Sequence, residues 1–239
     1  MKTHAELVAL AERHGLPDSA VPQLASLLDS LAADTHAPTT VREPGQAVWT
    51  HLADSLVALE LPVVRAATTV ADLGAGAGFP GLPLAVALPD ARVALVESIE
   101  RKCAFIRAAA EAAGLTDVEV VAERAEAWSA GMGTRDLVTA RALAPLAVLA
   151  EYAAPLLRER GVLVAWKGRR DAQEERDADA AAVQLGLAIE EIRPVRPYPG
   201  AEHRHLHVLR KVAPTPERFP RRPGMARKRP LRPMNRATL

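Results

Sequence analysis

The chain has 239 residues, 49% of them hydrophobic and only 3% aromatic, and its formal net charge is +1. This composition predicts a globular protein that buries a sizeable core. No apolar run approaches the roughly 18 residues of a membrane span, the first residues do not resemble a secretory signal, and a single cysteine, Cys103, excludes an internal disulfide and a cysteine-based metal site. We therefore expect a soluble, cytoplasmic protein without a membrane or metal partner.

Residues 1–66 are predicted to form a helical cap, because their apolar residues recur at helical spacing. On its third helix, His51 and Asp54 lie three positions apart, and they are either a solvated pair or part of a site. Glycine and proline separate the first two helices, and a loop over residues 34–44 precedes the third. The predicted helices cover residues 3–15, 18–33 and about 45–61.

Residues 67–213 alternate between predicted strands and helices, an order that gives a parallel sheet with helices on both faces. The fold class is therefore α/β. Pro155 is expected to kink one of the helices. The predicted strands are 69–73, 92–97, 118–122, 136–140 and 162–166, the helices are 99–113, 145–160 and 171–185, and a closing hairpin covers 187–195 and 205–212.

The last segment, residues 214–239, is strongly basic. It has eight Lys and Arg residues against one Glu, a charge of +7, whereas the rest of the chain has 22 basic and 28 acidic residues, a charge of −6. Because six prolines interrupt it, among them Pro220, Pro223, Pro230 and Pro233, we expect a tail that stays flexible until it meets phosphate. The alternative is a tail that only improves solubility.

A glycine-rich stretch, residues 70–81, organises the chain. A short apolar strand leads into Gly74, Gly76 and Gly78, and a predicted helix follows. Glycines allow tight turns and close approach of a ligand, and a helix start offers free N–H groups, so the loop is typical of a nucleotide-like cofactor site. Asp72 precedes the glycines, where an acid suits the cationic S-adenosylmethionine better than the pyrophosphate of NAD, although the spacing to Glu97 fits a ribose contact in either case.

Charged residues also follow the ends of the predicted parallel strands. Ligands of such sheets bind at the carboxyl ends of the strands, so these residues predict a polar crevice there. Three histidines at alternate positions, His203, His205 and His207, have no carboxylate or cysteine companion, and we do not predict a metal site from them. The crevice residues are Asp72, Glu97, Glu123 to Glu126, Arg141 and Lys167.

With these residues in hand, the chain closely resembles the RsmG (GidB) family, whose members methylate N7 of a guanine in 16S ribosomal RNA. The resemblance runs from about Leu24 to Leu231. The glycine loop alone would indicate only the superfamily, and other segments carry the family. These are Val41-Arg42-Glu43-Pro44, His51-Leu52-Ala53-Asp54-Ser55, Leu95-Val96-Glu97-Ser98, Glu123-Arg124-Ala125-Glu126, Ala140-Arg141-Ala142, Trp166-Lys167-Gly168 and the tail from Pro214 to Gly224.

The resemblance implies a class I S-adenosylmethionine-dependent methyltransferase with a Rossmann-like sheet, acting on 16S ribosomal RNA or the small ribosomal subunit, which we expect to be a monomer. The family carries Asn-Leu-Thr where this chain has Ala37-Pro38-Thr39-Thr40; Thr40 keeps a hydroxyl, and Ala37 and Pro38 receive no role. The donor contacts implied by the resemblance or by the glycine loop are Asp72, Gly74, Gly76, Gly78, Phe79, Glu97, Ala125, Glu126 and Arg141.

Guanine N7 carries a lone pair, so methyl transfer to it needs alignment and no general base. No catalytic base is therefore predicted, and the candidates for a catalytic role are Arg141, Lys167 and His51. Three other functions stay open from the residues: a methyltransferase with a protein or small-molecule acceptor, a non-enzymatic RNA-binding factor, and a dehydrogenase. The predicted RNA contacts are Arg124, Lys167, Arg193, Arg196, Arg221, Arg222 and Lys228.

Overall fold

The computed structural model describes residues 2–232. Nine helices of that range are numbered in chain order; the third, α3, joins four consecutive pieces, of which Val48–Ala53 has π-type hydrogen bonds. The helices are α1 (Lys2–His14), α2 (Ala20–Ala33), α3 (Pro44–Ala47, Val48–Ala53, Asp54–Leu56 and Val57–Glu60), α4 (Pro62–Arg65), α5 (Gly81–Ala87), α6 (Glu100–Ala112), α7 (Leu146–Ala153), α8 (Ala172–Leu185) and α9 (Met225–Lys228).

Seven strands form a single sheet in the order β3-β2-β1-β4-β5-β7-β6. The first five of that order are parallel, and β7 and β6 close the sheet as an antiparallel hairpin. The chain adds β2 and β3 on one side of β1 and then returns to add β4 on the other side. Ligands of doubly wound sheets bind at such a switch point, here between β1 and β4. The strands are β1 (Thr69–Leu73), β2 (Arg92–Val96), β3 (Val118–Val121), β4 (Arg135–Arg141), β5 (Leu157–Lys167), β6 (Leu187–Val195) and β7 (Arg204–Lys211). The predicted α/β fold is confirmed.

Successive residues of the central strands enter cores on opposite faces of the sheet. In β1, Val70 joins the core that α2, α3, α5 and α6 cover, whereas Ala71 joins the core beneath α7 and α8. Such a strand is buried on both faces and therefore lacks polar alternation. The N-terminal helices share the first core with the sheet, since Leu24 of α2 and Ile106 of α6 belong to one cluster. No helix of residues 2–232 is long and apolar enough to cross a membrane.

One predicted helix is shorter than expected. It was predicted over 145–160 with a kink at Pro155, but α7 ends at Ala153 and β5 already begins at Leu157. Proline lacks an N–H and disfavours a helical residue before it, so the chain turns there. Leu157 then pairs with Arg135 of β4, ahead of a register shift in the ladder.

The prediction of a flexible tail is wrong for the part that the structure describes. Residues 214–232, here called the C-terminal extension, pack against the core, with Phe219 and Ala226 both buried. The extension also forms the short helix α9, and its Arg221 pairs with Glu151 of α7. Charge counts missed this packing because apolar residues are interleaved with the cations. Residues 233–239 of the predicted tail lie outside the described residues.

Candidate active site

The glycine loop between β1 and α5 turns through left-handed backbone at all three alternate glycines. Gly74, Gly76 and Gly78 have φ of 65°, 61° and 89°. A Cβ on Gly74 would lie 2.5 Å from Leu143 Cδ1, and one on Gly78 would lie 2.4 Å from Leu82 Cδ1. Both positions therefore require glycine for its backbone conformation and for space. The loop is held close against the sheet and leaves the carboxyl edge open.

Glu97, which directly follows β2, is positioned by the loop and by α6. Its Oε2 accepts a 3.2 Å hydrogen bond from the Gly76 N–H, and its Oε1 accepts one of 3.0 Å from the Ile99 N–H. Lys102 Nζ lies 3.6 Å from Oε2. Each carboxylate oxygen has two lone pairs, so acceptor capacity remains for the hydroxyls of a ribose.

Asp72 does not occupy the position that the sequence predicted for it. It is fully buried behind the loop, where its Oδ2 accepts from the Gly81 N–H at 3.0 Å and its Oδ1 from the Thr139 hydroxyl at 2.8 Å. Burial raises the pKa of this carboxyl to about 7, although both hydrogen bonds and Arg141 oppose the rise. Asp72 therefore fixes the start of α5 from inside the protein. Gly81 allows this contact, since a Cβ there would lie 2.9 Å from Oδ2.

We expect Asp72→Asn to remove a pH dependence of stability while keeping the fold. The raised pKa means that folded protein binds more protons than unfolded protein between pH 3.8 and about 7, so wild-type stability falls as pH rises through that range. The amide can still accept from Gly81, and the Thr139 hydroxyl can turn to accept from it. Urea unfolding at about pH 5 and about pH 8 measures the change. The exposed Asp90→Asn is the control, and an unchanged pH slope in Asp72→Asn contradicts this account.

A cavity of about 410 Å³ opens at the carboxyl edge of the sheet, between the glycine loop, the ends of β2, β3 and β4, and the C-terminal extension. We call it the edge cavity, and its volume is typical of small-molecule sites. Of the predicted donor contacts, Gly74, Glu97, Ala125 and Glu126 line it. The complete lining is Gly74, Val96, Glu97, Ser98, Ile99, Lys102, Glu123, Arg124, Ala125, Glu126, Ala142, Leu143, Tyr152 and Arg227.

Sequence reasoning missed several of these lining residues. Ile99, Leu143 and Tyr152 are apolar or aromatic side chains beside strand ends or on α7, and nothing in their spacing distinguishes them from core residues. Arg227 comes from the C-terminal extension, 130 positions after Glu97 in the sequence. The apolar residues inside the basic tail were the available signal that this segment packs. Gly76, Gly78 and Phe79 belong to the loop and Arg141 contacts it, but none of the four lines the edge cavity.

Arg141, at the end of β4, ties the glycine loop to helix α3. Its Nη1 donates to Asp54 Oδ2 at 2.9 Å and to the Thr50 carbonyl at 3.2 Å, and its guanidinium lies 5.9 Å from the ring centre of Phe79. Asp54 is 2% exposed and pairs with Arg141, so it is a buried anchor and does not form a solvated pair with His51. Arg141 thus fixes Phe79, the residue that ends the loop, against the helical cap.

His51 is also part of this anchor. Its ring stacks on Phe79 with centroids 4.7 Å apart, and its Nε2 lies 3.0 Å from the Val41 carbonyl, which requires the proton on Nε2. Burial, followed by the nearby Arg141 charge, lowers the pKa of His51, so the ring is neutral at pH 7. Thr39 Oγ1 lies 3.1 Å from the same nitrogen, so Thr39 and not Thr40 supplies the loop hydroxyl. His51 Nδ1 lies 3.5 Å from Arg141 Nη2, so both ring nitrogens face protein groups and the ring positions the loop.

Lys167 lies in a second depression, about 660 Å³ in volume, between the end of β5, helix α8 and the extension. We call it the adjoining groove, because Ala142 and Leu143 line both it and the edge cavity. Lys167 Nζ donates to Glu174 Oε1 at 2.5 Å, and that oxygen also accepts from the Leu146 N–H. The groove is large enough for a planar base, and the two lining residues that it shares with the edge cavity place the two depressions side by side.

The predicted RNA-binding cations divide into free and engaged side chains. Arg124, Arg196, Arg222 and Lys228 are exposed. Arg193 instead donates to Glu191 and to the Glu60 carbonyl. The prediction for Arg221 is wrong, because two of its N–H groups are directed at Glu151, which is 1% exposed. No three His, Cys, Asp or Glu side chains within residues 2–232 are grouped as a metal ion requires.

Fold and site together define the class of protein. A switch point at β1 and β4, a left-handed glycine loop and a carboxylate after β2 are the parts of an S-adenosylmethionine-dependent methyltransferase, and Glu97 and the volume of the edge cavity fit that donor. Two solved structures share the fold. The Thermus thermophilus branched-chain polyamine synthase mutein has a TM-score of 0.60 and 18% identity over 84% of this chain and 65% of its own. Aeropyrum pernix fibrillarin, solved with natively bound S-adenosylmethionine, has a TM-score of 0.53 and 16% identity over 66% and 72%.

Sequence comparison identifies the family. The family model described as GidB, rRNA small subunit methyltransferase G, matches residues 21–197. The Ribosomal RNA small subunit methyltransferase G of Rubrobacter xylanophilus is 44% identical over 197 residues, 80% of this chain and 76% of that protein. The protein of the same name from Lacticaseibacillus paracasei is 36% identical over 241 residues, 97% of this chain and 99% of its own length. The chain belongs to this family, which confirms the resemblance found in the sequence.

Proposed function

We propose that the protein transfers the methyl group of S-adenosylmethionine to N7 of a guanine in 16S ribosomal RNA of the small ribosomal subunit. The observation that supports this most directly is the edge cavity, in which a carboxylate for the ribose lies beside the glycine loop and whose lining residues Ala142 and Leu143 also line the adjoining groove. Family membership supports the nucleic acid as the acceptor. Exposed cations around the site suit its phosphates.

The chain's own residues contribute alignment and exclusion of water. When bound, the donor supplies an electrophilic methyl group on a sulfonium. Glu97 and the glycine loop hold it, and the anchored pair Phe79 and Arg141 keeps the loop from moving. Because N7 has its own lone pair, fixed orientation supplies most of the acceleration, and such orientation is worth roughly 7–11 kcal/mol. Neutral, fully bonded His51 fits a reaction without a general base.

The acceptor base has to reach the methyl group unpaired. A base stacked in a helix cannot approach the edge cavity, so the target guanine is expected in a loop or is extruded from its stack. Lys167 and Glu174 are two of the polar residues that line the adjoining groove, beside Asp171, Gln173, Asp177 and Arg232, and such a base can contact them. We also propose that the protein acts as a monomer in the cytoplasm; light scattering of the purified protein, and fractionation of cells, test these two statements.

The direct test is transfer of labelled methyl groups to 16S RNA, or to small subunits, from a strain lacking this protein. We expect 7-methylguanosine on nucleoside analysis. Glu97→Ala is the matched inactive variant, because it removes the carboxylate that accepts hydrogen bonds from the loop and that would accept them from the ribose. No transfer to either RNA form by wild-type protein that demonstrably binds the donor would refute the proposed acceptor.

Removing exposed cations near the edge cavity should weaken the salt dependence of RNA binding. We expect the double variant Arg222→Ala/Lys228→Ala to reduce the slope of log K against log salt by about 0.7 to 0.9 for each cation that contacts phosphate. Donor affinity should not change. The control is Arg92→Ala/Arg158→Ala, two exposed cations at the amino edge of the sheet. Equal slopes for both double variants would place the RNA elsewhere.

A further inference from the structure

The C-terminal extension forms one wall of the edge cavity. Arg227 of α9 is part of the lining and donates a 2.7 Å hydrogen bond to the Leu143 carbonyl. The Gly224 N–H donates to Glu126 Oε1 at 2.9 Å. The extension is therefore attached both to the loop after β3 and to the loop after β4. It lies beyond residues 21–197, the part of the chain that the family model matches.

This wall is fixed by packing and does not rest loosely on the surface. Phe219 is 7% exposed and Ala226 is 1% exposed, both in the core beneath α7 and α8. Arg221 directs two N–H groups at the carboxylate of Glu151, which α7 holds inside that core. A third contact joins Arg221 to the Arg229 carbonyl on the other side of α9. The position of Arg227 is set by these contacts.

Arg227 stands where the extension meets the loops after β3 and β4, since its own nitrogen donates to the Leu143 carbonyl and Gly224, three residues earlier, donates to Glu126. The sheet order is β3-β2-β1, and the glycine loop follows β1 whereas Glu97 follows β2. Ala125 and Glu126, which follow β3, therefore line the cavity on the side of Glu97 away from the glycine loop. Tyr152 lies close to both Glu126 and Arg227: burial raises the pKa of Tyr152, the Glu126 charge adds to the rise, and Arg227 opposes it. If Glu97 binds the ribose, the purine of the donor extends toward this cluster.

The Arg227 guanidinium keeps capacity for a ligand. None of the ion pairs within residues 2–232 involves Arg227. Lys102, another cation of the cavity lining, is by contrast paired with Glu97. Of its five N–H donors, the structure directs one nitrogen at the Leu143 carbonyl. A guanidinium is planar and stacks on nucleobases as aromatic rings do. At the purine end of the cavity, a planar group that stacks on the base contributes more to binding than a charge without a plane.

We propose that the C-terminal extension closes the purine end of the donor site and that Arg227 packs its guanidinium on the adenine ring, as a positioning residue for the donor. This inference rests on the donor assignment and not on the RNA acceptor. It predicts that affinity for adenine-containing ligands depends on a segment outside the region that the family model describes.

The test is isothermal titration of the full chain, without RNA, with two ligands. S-adenosylhomocysteine has the whole donor skeleton, and 5′-methylthioadenosine keeps the purine, ribose and sulfur but lacks the amino acid. Arg227→Ala is expected to weaken both by the same factor, about 5-fold to 100-fold, the range of stacking on one base. Arg227→Lys, which keeps the charge and loses the plane, should weaken both as well.

Arg229→Ala is the matched control, since the contacts of Arg229 use its backbone N–H and carbonyl, and alanine keeps both. It should leave both affinities unchanged. Loss of affinity for S-adenosylhomocysteine alone would assign Arg227 to the donor's carboxylate, and unchanged affinity for both ligands would place Arg227 outside the donor site; either overturns the proposal. A wild-type protein that binds neither ligand overturns the donor assignment too, whereas one that binds both but does not methylate RNA refutes only the proposed function.

Discussion

Gly74→Val is expected to abolish measurable binding of S-adenosylmethionine. Gly74 has a φ of 65°, a conformation in which a β-branched residue is strained, and its Cβ would lie 2.5 Å from Leu143 Cδ1. Strain and overpacking each cost about 1–3 kcal/mol. If the Leu143 side chain moves aside, it enters the edge cavity that it lines, so a valine at position 74 removes space for the donor either directly or through the displaced leucine. Donor affinity should therefore fall by about 100-fold or more.

Gly133→Val separates the backbone strain from the loss of the site. Gly133 has the same φ of 65°, but a Cβ there meets nothing within 4 Å. It lies in the turn before β4, away from the edge cavity. We expect this variant to lose stability and to bind the donor as wild type does, as measured by titration calorimetry. Wild-type donor affinity in Gly74→Val would show that the glycine loop does not shape the donor site.

Arg221→Ala should destabilise the protein by about 3–5 kcal/mol, the cost of leaving a buried charge without its partner. Glu151 is 1% exposed, and Arg221 supplies the cation that faces it. The extension would lose its anchor as well, so affinity for S-adenosylhomocysteine should fall with stability. The midpoint and slope of urea unfolding give the free energy of unfolding.

Two further variants test the cause of that loss. The double change Glu151→Leu/Arg221→Leu replaces the ion pair by apolar side chains and should recover most of the lost stability. Arg107→Ala breaks the exposed pair with Glu100 and should leave stability unchanged, because water solvates both partners there. Equal stability of Arg221→Ala and wild type would mean that the extension is not anchored through Glu151.

Much of the fold followed from local patterns in the sequence. The limits of β1 were predicted to the residue, since a short apolar run bounded by glycines can hardly be placed otherwise. Glu97 was placed correctly because the residue after a parallel strand always faces the ligand edge. The helix predicted over 145–160 is too long because the helical periodicity of apolar residues continues through Pro155. The start of the following strand is set by the pairing of Leu157 with Arg135, which the sequence does not show.

The parts of the site that were missed depend on contacts between distant residues. The sequence cannot tell which face of a doubly buried strand Asp72 occupies, so its hydrogen bonds to Gly81 and Thr139 emerge only with the fold. The same holds for Arg221, whose partner Glu151 is 70 positions earlier. A cation in a basic segment is ordinarily solvated, and nothing local marks the one that is not.

Asp54 has a consequence for the synthesis of the chain. Helix α3 is made early, yet Arg141 reaches Asp54 from 87 positions later and Trp166 donates to the Asp54 carbonyl from 112 positions later. Arg204 Nε also lies 3.1 Å from Asp54 Oδ1, at an angle too poor for a hydrogen bond. While the ribosome is still translating residues 55–140, Arg141, Trp166 and Arg204 have not been made, so Asp54 has none of these partners and helix α3 is not yet fixed to the sheet. A ribosomal RNA methyltransferase thus completes its own first helices only after most of its chain has left the exit tunnel, and the nascent N-terminal part is where chaperones are expected to bind.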